Sequence, residues 1–354
     1  MSRVNHEFWA GKKVFLTGHT GFKGSWLAIW LNLMGAKVSG YSLSVPTEPS
    51  LFKIANIESF LQSSVLSNVT DLVSLQNAIN QVKPDIVIHM AAQPLVRSSY
   101  QDPIATYQTN IMGTVNIMEA ARNCGSASVI LNVTTDKCYD NKEWHWGYRE
   151  SDPLGGYDPY SSSKACSELI TNAYRSSFFD ELGIKVATAR AGNVIGGGDW
   201  AEDRLIPDIV RSLTSGTEIQ IRNPNSVRPW QHVLEPLSGY LVLCENLYNG
   251  DTYDQAWNFG PPDNDVKAVK LIVEKMLDLW TYNHPGYSIS MQAQHHEASL
   301  LKLDSSKARN ELSWKSKWSL EKALSATMEW VLAVHEGVEA HLVCKRQIAE
   351  YESN

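Results

Sequence analysis

The fold of this chain is decided near its start, by the stretch Val14-Phe15-Leu16-Thr17-Gly18-His19-Thr20-Gly21-Phe22-Lys23-Gly24-Ser25-Trp26. Residues with strand character run into glycines spaced by three, and apolar residues at helical spacing follow at once. Gly35 then stands where a helix would end, and residues 37–41 have strand character again. Strand, glycine turn, helix and strand form the phosphate-binding unit of a dinucleotide fold, because the glycines let the backbone approach a pyrophosphate at the helix N-terminus.

Composition argues against several classes of protein. The chain has 354 residues, 43% of them hydrophobic, and a net charge of -7 without a basic block, so we expect no nucleic-acid partner. No apolar run approaches the ~20 residues of a membrane span, and the N-terminus lacks the apolar core of a signal peptide. The cysteines have no C-x-x-C spacing and the histidines no ligand spacing, so we expect no disulfide framework and no metal site. His295-His296 is interpreted as solvated surface, and the expected compartment is the cytoplasm.

Strands and helices alternate strictly through residues 14–191, which predicts an α/β fold with a Rossmann-type doubly wound parallel sheet. After Gly192 the pattern changes, which predicts a second, smaller mixed α/β substrate domain. Residues 257–260 are expected to return to the main sheet. We therefore assign residues 1–191 and about 231–262 to the dinucleotide-binding domain, and residues 192–230 and 263–354 to the substrate domain.

The second strand lacks the acid that many NAD-binding folds place at its end to hold the ribose hydroxyls. Ser42 and Ser44 occupy that neighbourhood, and no arginine stands near to favour a 2′-phosphate, so NAD is favoured over NADP. Ala91 and Ala92 end a later buried strand, where small side chains would let a cofactor lie close. Tight helix packing is the alternative explanation for these two alanines.

Tyr160 and Lys164 stand at i and i+4, which places a phenol and an ammonium on one face of a helix. A free tyrosine has a pKa of about 10, and a nearby lysine, together with the positive nicotinamide of an oxidised cofactor, favours the phenolate. Such a phenolate is suited to removing a hydroxyl proton while a hydride leaves the same carbon. Pairs of this kind are common on helices, but here a strand of the sheet ends in Thr135, and both would meet where open α/β sheets bind ligands.

As a set, these motifs resemble the extended short-chain dehydrogenase/reductase family over nearly the whole chain. Thr135-Asp136-Lys137 is similar to the Thr-Asp-Glu of its nucleotide-sugar 4,6-dehydratases, with lysine in place of glutamate. The likeness also rests on the glycine turn, on Gly196-Gly197-Gly198-Asp199-Trp200 and on Arg228-Pro229-Trp230-Gln231-His232. One departure is Asn68, where relatives often have Asp. The resemblance implies NAD as cofactor, bound by Gly18, His19, Thr20, Gly21, Phe22, Lys23, Gly24, Asn68, Val69, Ala91, Ala92, Gln93, Asn110, Tyr160 and Lys164.

The resemblance also implies a redox-neutral reaction, in which CDP-D-glucose loses water to give CDP-4-keto-6-deoxy-D-glucose. Tyr160, held ionised by Lys164, would take the 4-hydroxyl proton as the C4 hydride passes to NAD, with Thr135 hydrogen-bonded to that oxygen. Lys137, or a water that it positions, would remove the C5 proton while Asp136 protonates the departing 6-hydroxyl, and the hydride would return to C6. Asp136 must then carry a proton and Lys137 must be neutral. A purely electrostatic role for Lys137, stabilising the C4 enolate, is the alternative.

The resemblance implies that three side chains lie near the nucleotide diphosphate: Asn193, Arg204 and Arg228. Guanidinium groups suit paired phosphate oxygens. Surface arginines are the alternative for the latter two. Trp144 and Trp146 would either form a lid over the sugar or pack a long loop. His19 is expected to touch the cofactor phosphates or ribose, with a solvated side chain as the alternative.

Two other functions stay open. A nucleotide-sugar 4-epimerase would share the fold, the cofactor and the tyrosine base, but it needs no acid–base pair after Thr135, so Asp136-Lys137 argues against it. A non-catalytic, cofactor-sensing binding protein usually lacks the tyrosine or the lysine, and both are present here. The resemblance further implies a homodimer or homotetramer, paired through the helices that begin at Pro103 and near Tyr157. It also implies downstream use in 3,6-dideoxysugars of a surface polysaccharide such as a lipopolysaccharide O-antigen.

Overall fold

Seven parallel strands form the central sheet of the computed structural model, which describes residues 3–250, 252–290 and 300–354. The strands of these residues are β1 (Lys13–Thr17), β2 (Lys37–Ser42), β3 (Ser63–Leu66), β4 (Ile86–His89), β5 (Val129–Val133), β6 (Lys185–Ala191), β7 (Asn193–Ile195), β8 (Ile219–Ile221), β9 (Val227–His232), β10 (Ala256–Phe259), β11 (Val266–Ala268) and β12 (Tyr287–Ile289). The central sheet has the order β10-β6-β5-β4-β1-β2-β3, and each neighbouring pair in it is parallel. The predicted Rossmann-type doubly wound sheet is confirmed, with its strand order reversing between β1 and β4. His295-His296 lies outside the described residues.

Helices cover both faces of the sheet. Those of the described residues are α1 (His6–Trp9), α2 (Phe22–Leu33), α3 (Leu51–Ile54), α4 (Leu72–Val82), α5 (Val96–Gln101), α6 (Pro103–Tyr107), α7 (Gly113–Cys124), α8 (Pro159–Tyr174), α9 (Asp180–Leu182), α10 (Leu205–Ser215), α11 (Leu234–Asn249), α12 (Val269–Leu279), α13 (Ser306–Glu311), α14 (Leu320–His335) and α15 (Ala340–Ser353). A π-helical turn, Gln108–Met112, joins α6 to α7. In the described part of the chain, no helix combines the length and apolarity that crossing a membrane requires.

The strand β1 contributes to two separate cores. Val14 and Leu16 belong to the larger core, which also takes in side chains of α2, α11, α14 and α15. Phe15 belongs to the core on the other face, with α4 and α7. Because successive side chains of a strand point to opposite faces, a strand buried on both sides carries apolar residues on both, as Val14, Phe15 and Leu16 of β1 do.

The chain leaves the central sheet after β6 and returns to it in β10. Between and after these strands, β7, β9 and β11 form one small sheet and β8 and β12 another. Trp257 lies opposite Ala189 in the register of β10 with β6, so the expected return of residues 257–260 to the main sheet is confirmed. The division of the chain into two domains at the boundaries given above stays a prediction.

The C-terminal helix α15 packs against α2, the helix that follows the glycine turn. Trp30 Nε1 donates to Glu352 Oε1 at 2.8 Å, and the Trp30 and Tyr351 rings meet edge to face at 5.7 Å. A segment that the sequence pattern assigns to the substrate domain therefore also supports the dinucleotide-binding unit.

Candidate active site

The glycine turn brings two backbone segments together between β1 and α2. Gly18 has a φ of 77°, which L side chains rarely adopt, and a Cβ at Gly24 would lie 2.1 Å from the carbonyl oxygen of Gly18. Gly21 precedes α2, and no side chain of the described residues caps the N-terminus of that helix. The N–H groups of its first turn are therefore directed to an open end of the helix, where an anionic ligand is favoured.

The hydroxyl of Thr17 joins the end of β1 to the end of β4. Its Oγ1 accepts hydrogen bonds from the N–H groups of Met90 and Ala91, each at 3.1 Å, and lies 2.7 Å from Nδ1 of His89. The backbone after β4 is thereby held beside the glycine turn. Ala91 and Ala92 both face the cavity at this junction, where the sequence analysis expects a cofactor.

A cavity of about 1820 Å³ opens at the carboxyl ends of the central strands. Most of the predicted site residues line it: Gly18, Thr20, Gly21, Phe22, Lys23, Gly24, Asn68, Val69, Ala91, Ala92, Thr135, Asp136, Lys137, Tyr160, Lys164, Asn193, Arg204 and Arg228. The structure thus gathers residues that lie as far apart in sequence as Gly18 and Arg228. Open α/β sheets bind ligands at this edge.

A turn of 3₁₀-helix after β5 carries the predicted acid. Thr135 Oγ1 donates to Asp136 Oδ1 at 3.0 Å and accepts from the N–H of Lys137 at 3.3 Å. Asp136 is 2% exposed, and its Oδ2 has no hydrogen-bond partner among the described residues. A Cβ at Gly192 would lie 2.9 Å from this oxygen. One carboxyl oxygen is therefore fixed by the protein, while the other is left for a ligand.

Tyr160 and Lys164 lie one turn apart on α8 and are both buried. Burial raises the pKa of Tyr160 to about 12, although a hydrogen bond with Thr135 opposes the change. Burial also lowers the pKa of Lys164 to about 8, and its Nζ donates to the carbonyl oxygen of Val133 at 3.1 Å. In the protein alone, the effect of burial on the pKa of Tyr160 outweighs the opposing effects of Thr135 and of the Arg204 charge. The phenolate that the sequence analysis expects therefore requires the additional positive charge of an oxidised cofactor.

A buried ion pair joins α8 to β6. Arg190 Nη2 donates to Glu168 Oε2 at 2.7 Å, and the same carboxylate accepts hydrogen bonds from the hydroxyls of Thr134 and Thr188. Burial alone would raise the pKa of Glu168, but Arg190 and these donors hold it below its usual value. The negative charge of Glu168 in turn favours the protonated form of Lys164.

Comparison with known proteins decides the family. The model of the family described as GDP-mannose 4,6 dehydratase matches residues 15–327. The chain belongs to this dehydratase family. It is 51% identical to the CDP-glucose 4,6-dehydratase of Salmonella typhimurium over 99% of both chains. It is 24% identical to a dTDP-glucose 4,6-dehydratase of Xanthomonas campestris, over 92% of this chain and 95% of that one. The resemblance inferred from the motifs is therefore confirmed.

Solved structures show that the dehydratase fold is shared with epimerases. A dTDP-glucose 4,6-dehydratase from Bacillus anthracis, in complex with NAD, matches 93% of this chain and 99% of its own, with a TM-score of 0.77 and 22% identity. A UDP-glucose 4-epimerase from Thermotoga maritima, with UDP-glucose, matches 91% and 99%, with a TM-score of 0.79 and 21% identity. At these identities the likeness shows the fold alone.

In this dehydratase, three residues predicted to bind the cofactor lie outside the cavity lining. The ring of His19 is buried against Gly40 and Phe52, with Nε2 2.9 Å from Ser64 Oγ. The solvated alternative for His19 is therefore wrong, and burial lowers its pKa to about 4, so the ring is neutral. Asn110 Oδ1 accepts from the backbone N–H of Gln93 at 2.9 Å. The Gln93 side chain in turn donates from Nε2 to Thr106 Oγ1 at 2.9 Å, so Asn110 and Gln93 hold the loop after β4 in place.

Two tryptophans of the long loop also lie apart from the cavity lining. Trp144 stacks on Tyr148 with ring centroids 5.0 Å apart, while Trp146 is exposed. Of the two alternatives, loop packing describes Trp144, and neither tryptophan lines the cavity in this structure. Lys142 and Glu143 of the same loop do line the cavity.

The side chain of Lys23, which was predicted to bind the cofactor, lines the cavity of the dehydratase. Its Nζ donates to Tyr240 Oη at 2.8 Å. Burial, together with the charges of Lys164 and Arg204, lowers the pKa of Lys23 to about 7, and the charge of Asp136 opposes this change. A lysine on the otherwise apolar face of Phe22 and Trp26 was the signal in the sequence.

The predicted diphosphate ligands are held by acceptors on their own side of the cavity. Arg204 Nη1 donates to Asp199 Oδ2 at 2.9 Å, and this pairing raises the pKa of the guanidinium. Arg228 is buried on β9, where its Nη1 donates to the carbonyl oxygen of Val227 at 3.0 Å. Asn193 begins β7, the strand that pairs with β9. Asn193 and Arg228 therefore stand on paired strands of one small sheet, while Arg204 directly precedes α10.

Proposed function

We propose that this chain is an NAD-dependent hydro-lyase that converts CDP-D-glucose to CDP-4-keto-6-deoxy-D-glucose and water. The observation that carries the proposal is the position of Asp136 and Lys137. They follow Thr135 directly and share its cavity with Tyr160 and Lys164, so an acid and an amine stand beside the tyrosine base. The 51% identity to the Salmonella CDP-glucose 4,6-dehydratase supports the same reaction on a substrate with the same nucleotide, CDP.

The residues present fit NAD. Gly24 leaves no room for a Cβ against Gly18, which is the close backbone approach that a pyrophosphate site at a helix N-terminus needs. The first turn of α2 would bind the pyrophosphate, with Ala91 and Ala92 beside the dinucleotide. When bound, NAD accepts a hydride from C4 of the sugar and later returns it to C6.

Tyr160 begins the reaction as the base for the 4-hydroxyl. Its phenolate removes the proton, and the Thr135 hydroxyl holds the same oxygen in position. The protonated form of Lys164, supported by Glu168, stabilises the phenolate. Loss of this proton together with the C4 hydride leaves a ketone at C4, which makes the proton on the neighbouring C5 acidic.

Asp136 and Lys137 then carry out the elimination of water. Lys137, or a water that it positions, removes the C5 proton, and Asp136 donates a proton to the departing 6-hydroxyl. The free Oδ2 of Asp136 and its burial suit an acid that acts on a bound substrate and not on bulk water. Arg204 and Arg228, with Asn193, would hold the nucleotide diphosphate by charge-assisted hydrogen bonds.

A 4-epimerase is the second candidate, because epimerases share the fold. An epimerase needs neither Asp136 nor Lys137. To distinguish the two, purified protein is incubated with CDP-, dTDP-, GDP- and UDP-hexoses, and the masses of the products are measured by mass spectrometry. We expect loss of one water from CDP-glucose and little or none from the other nucleotides. A product of unchanged mass in which only C4 is inverted would support the epimerase instead.

The exposed apolar side chains of neighbouring helices point to self-association. Ile104 on α6, Met112 in the π-helical turn and Leu169 on α8 are 69%, 47% and 58% exposed. Exposed apolar side chains grouped on one surface mark interaction sites, and most soluble oligomers are symmetric homo-oligomers. A homodimer or homotetramer paired through this surface would cover them. Light scattering should show the oligomer dissociated by Leu169→Glu and intact in Val73→Glu, which changes an exposed residue of α4.

The cytoplasm is the compartment that we propose. All five cysteines are unpaired, as in a reducing environment. The product, a 4-keto-6-deoxy sugar, suits the synthesis of 3,6-dideoxysugars for a surface polysaccharide such as a lipopolysaccharide O-antigen.

A further inference from the structure

Two arginines that the proposed function does not use line the cavity and share one aspartate. Arg97 stands on α5, which follows β4 of the central sheet, and Arg222 directly follows β8 of the small sheet with β12. Arg97 Nη1 donates to Asp203 Oδ1 at 3.1 Å, and Arg222 Nη1 donates to the same oxygen at 2.8 Å. One carboxylate of the cavity wall therefore joins elements from both parts of the fold.

The contacts of Asp203 are of a kind that a ligand can replace. The Asp203 side chain is 38% exposed and each of the two arginine side chains is 28% exposed, so water weakens both ion pairs. Asp203 also has a φ of 59°, a left-handed conformation that few side chains other than Asn and Asp adopt. Residues held in such conformations cluster at ligand sites and in segments that move.

The position of Asp203 in the chain indicates which ligand would replace it. Asp203 directly precedes Arg204, which is proposed to hold the nucleotide diphosphate, and both residues line the cavity. Because consecutive Cα atoms are only about 3.8 Å apart, a diphosphate at Arg204 lies close to the two guanidinium groups that hold Asp203. Guanidinium groups bind phosphate oxygens in pairs, whereas Asp203 offers both arginines the same single oxygen.

We propose that Arg97 and Arg222 bind the diphosphate of the substrate, and that Asp203 is an internal anion that occupies them until the diphosphate replaces it. The inference rests on the proposed function for the chemical class of the ligand, a nucleoside diphosphate. A nucleoside without phosphates carries no charge with which to displace Asp203, so this exchange selects for the diphosphate.

A second carboxylate keeps Arg222 in place during the exchange. Arg222 Nη2 donates to Asp208 Oδ2 at 3.3 Å, and the other oxygen of Asp208 accepts from Arg211. Arg211 is in turn held by the carbonyl oxygen of Trp200, to which its Nη1 donates at 2.8 Å. When Asp203 leaves, Arg222 therefore still has a partner that orients its guanidinium group towards the cavity.

The test is the affinity of Asp203→Asn for CDP and for cytidine, measured by titration calorimetry with NAD in excess to occupy the dinucleotide site. Asparagine has the same shape and the same tolerance of positive φ but no charge. CDP should bind roughly three- to tenfold more tightly, because two weak ion pairs no longer have to be broken. Cytidine should bind as it does to wild type. Glu202→Gln is the control, since it removes the same charge one residue away from an exposed side chain that also lines the cavity.

The arginine variants test the other half of the proposal. Arg97→Met and Arg222→Met should each weaken CDP binding roughly three- to tenfold and leave cytidine binding unchanged. When both arginines are replaced, the gain from Asp203→Asn should shrink to that from Glu202→Gln. Circular dichroism checks that each variant keeps the fold.

Three results would overturn the exchange of Asp203 for the diphosphate. They are a loss of CDP affinity in Asp203→Asn, equal gains from Asp203→Asn and Glu202→Gln, and a gain from Asp203→Asn that persists without the two arginines. Absence of CDP binding to wild type would overturn it as well. Failure of the proposed function looks different, because the CDP affinities would then follow the expected pattern while wild type released no water from CDP-glucose.

Discussion

Glu168 and Arg190 form an ion pair of 2.7 Å between α8 and β6, with side chains that are 3% and 4% exposed. Glu168 lies one helical turn after Lys164 on α8, and its carboxylate also accepts hydrogen bonds from two threonine hydroxyls. Breaking a buried pair from one side leaves an uncompensated charge. The stability of the protein and the position of the catalytic helix therefore depend on the same contact.

Arg190→Met should lower the free energy of unfolding by ~3–5 kcal/mol, because the Glu168 carboxylate would stay buried without its partner. Urea unfolding measures the change. Lys53→Met is the control, since it removes the exposed pair with Glu48, whose contribution should be ~0–1 kcal/mol. The pKa of Glu168 is held below its usual value, so its stabilising effect is present above the unfolded pKa of about 4.3 and is lost as pH falls further. Equal losses in the two variants would contradict the account.

Gly24→Ala should weaken NAD binding roughly tenfold or more, a loss of ~1.4 kcal/mol, because the new Cβ must displace the Gly18 carbonyl oxygen that it would approach to 2.1 Å. Titration calorimetry gives the affinity, and circular dichroism checks that the fold is kept. At Gly21 the corresponding Cβ would lie 3.4 Å from the same oxygen, an ordinary contact. Gly21→Ala should therefore lose less affinity. The reverse order would rule out the close approach as the reason for these glycines.

Lys164 should make the stability of the cofactor-free protein depend on pH. Burial lowers its pKa from 10.5 to about 8, so between these two values the unfolded chain binds more protons than the folded protein. Stability must then rise with pH across this window. The unfolding free energy of wild type minus that of Lys164→Met should increase between about pH 8 and about pH 10. A difference that is flat over this range would show that the lysine is not buried as the structure has it.

Asp136→Asn should stop the reaction after the first hydride transfer, because the amide has no acidic proton for the 6-hydroxyl. We expect kcat to fall by roughly 10²–10⁴-fold, while the near-ultraviolet absorbance of reduced cofactor builds up and persists after substrate is added. Tyr160→Phe is the matched control, since it removes the earlier base and should produce no such absorbance. Full turnover in Asp136→Asn would remove that residue from the mechanism.

Gly192→Ala should affect the same step while Asp136 itself is left unsubstituted. Its Cβ would lie 2.9 Å from Asp136 Oδ2 and would force the carboxyl group aside. Reduced cofactor should then accumulate as in Asp136→Asn, but with a smaller loss of kcat, measured by the same absorbance. Unchanged kinetics would show that the carboxyl group has room that the structure does not give it.

The sequence was sufficient for the central fold and for most of the site, because both rest on local patterns. The glycine spacing and the apolar run of β1 predict the dinucleotide unit, and the spacing of Tyr160 and Lys164 on one helix predicts the base. What the sequence does not show depends on contacts between distant segments. The burial of His19 requires Gly40 and Phe52, and the role of Gly192 follows from its distance to Asp136. The hydrogen bond from Lys23 to Tyr240 likewise joins residues that are distant in sequence.

The ionisation of Tyr160 also lies beyond sequence patterns. The lysine one turn away predicts a stabilised phenolate, but the degree of burial sets the balance, and burial is a property of the whole fold. The choice between a lid and loop packing for Trp144 and Trp146 could not be made from the sequence either, since a loop rich in aromatics packs on whatever surface the rest of the chain provides.

The central claim is that Asp136 and Lys137 eliminate water across C5 and C6 of a sugar oxidised at C4. Reaction of CDP-glucose in deuterium oxide, followed by NMR and mass spectrometry of the product, tests it most directly. We predict one solvent deuterium at C5, a methyl group at C6 that carries the original C4 hydrogen, and the loss of one water. A product that keeps its water and its C5 hydrogen, changed only at C4, would contradict the account.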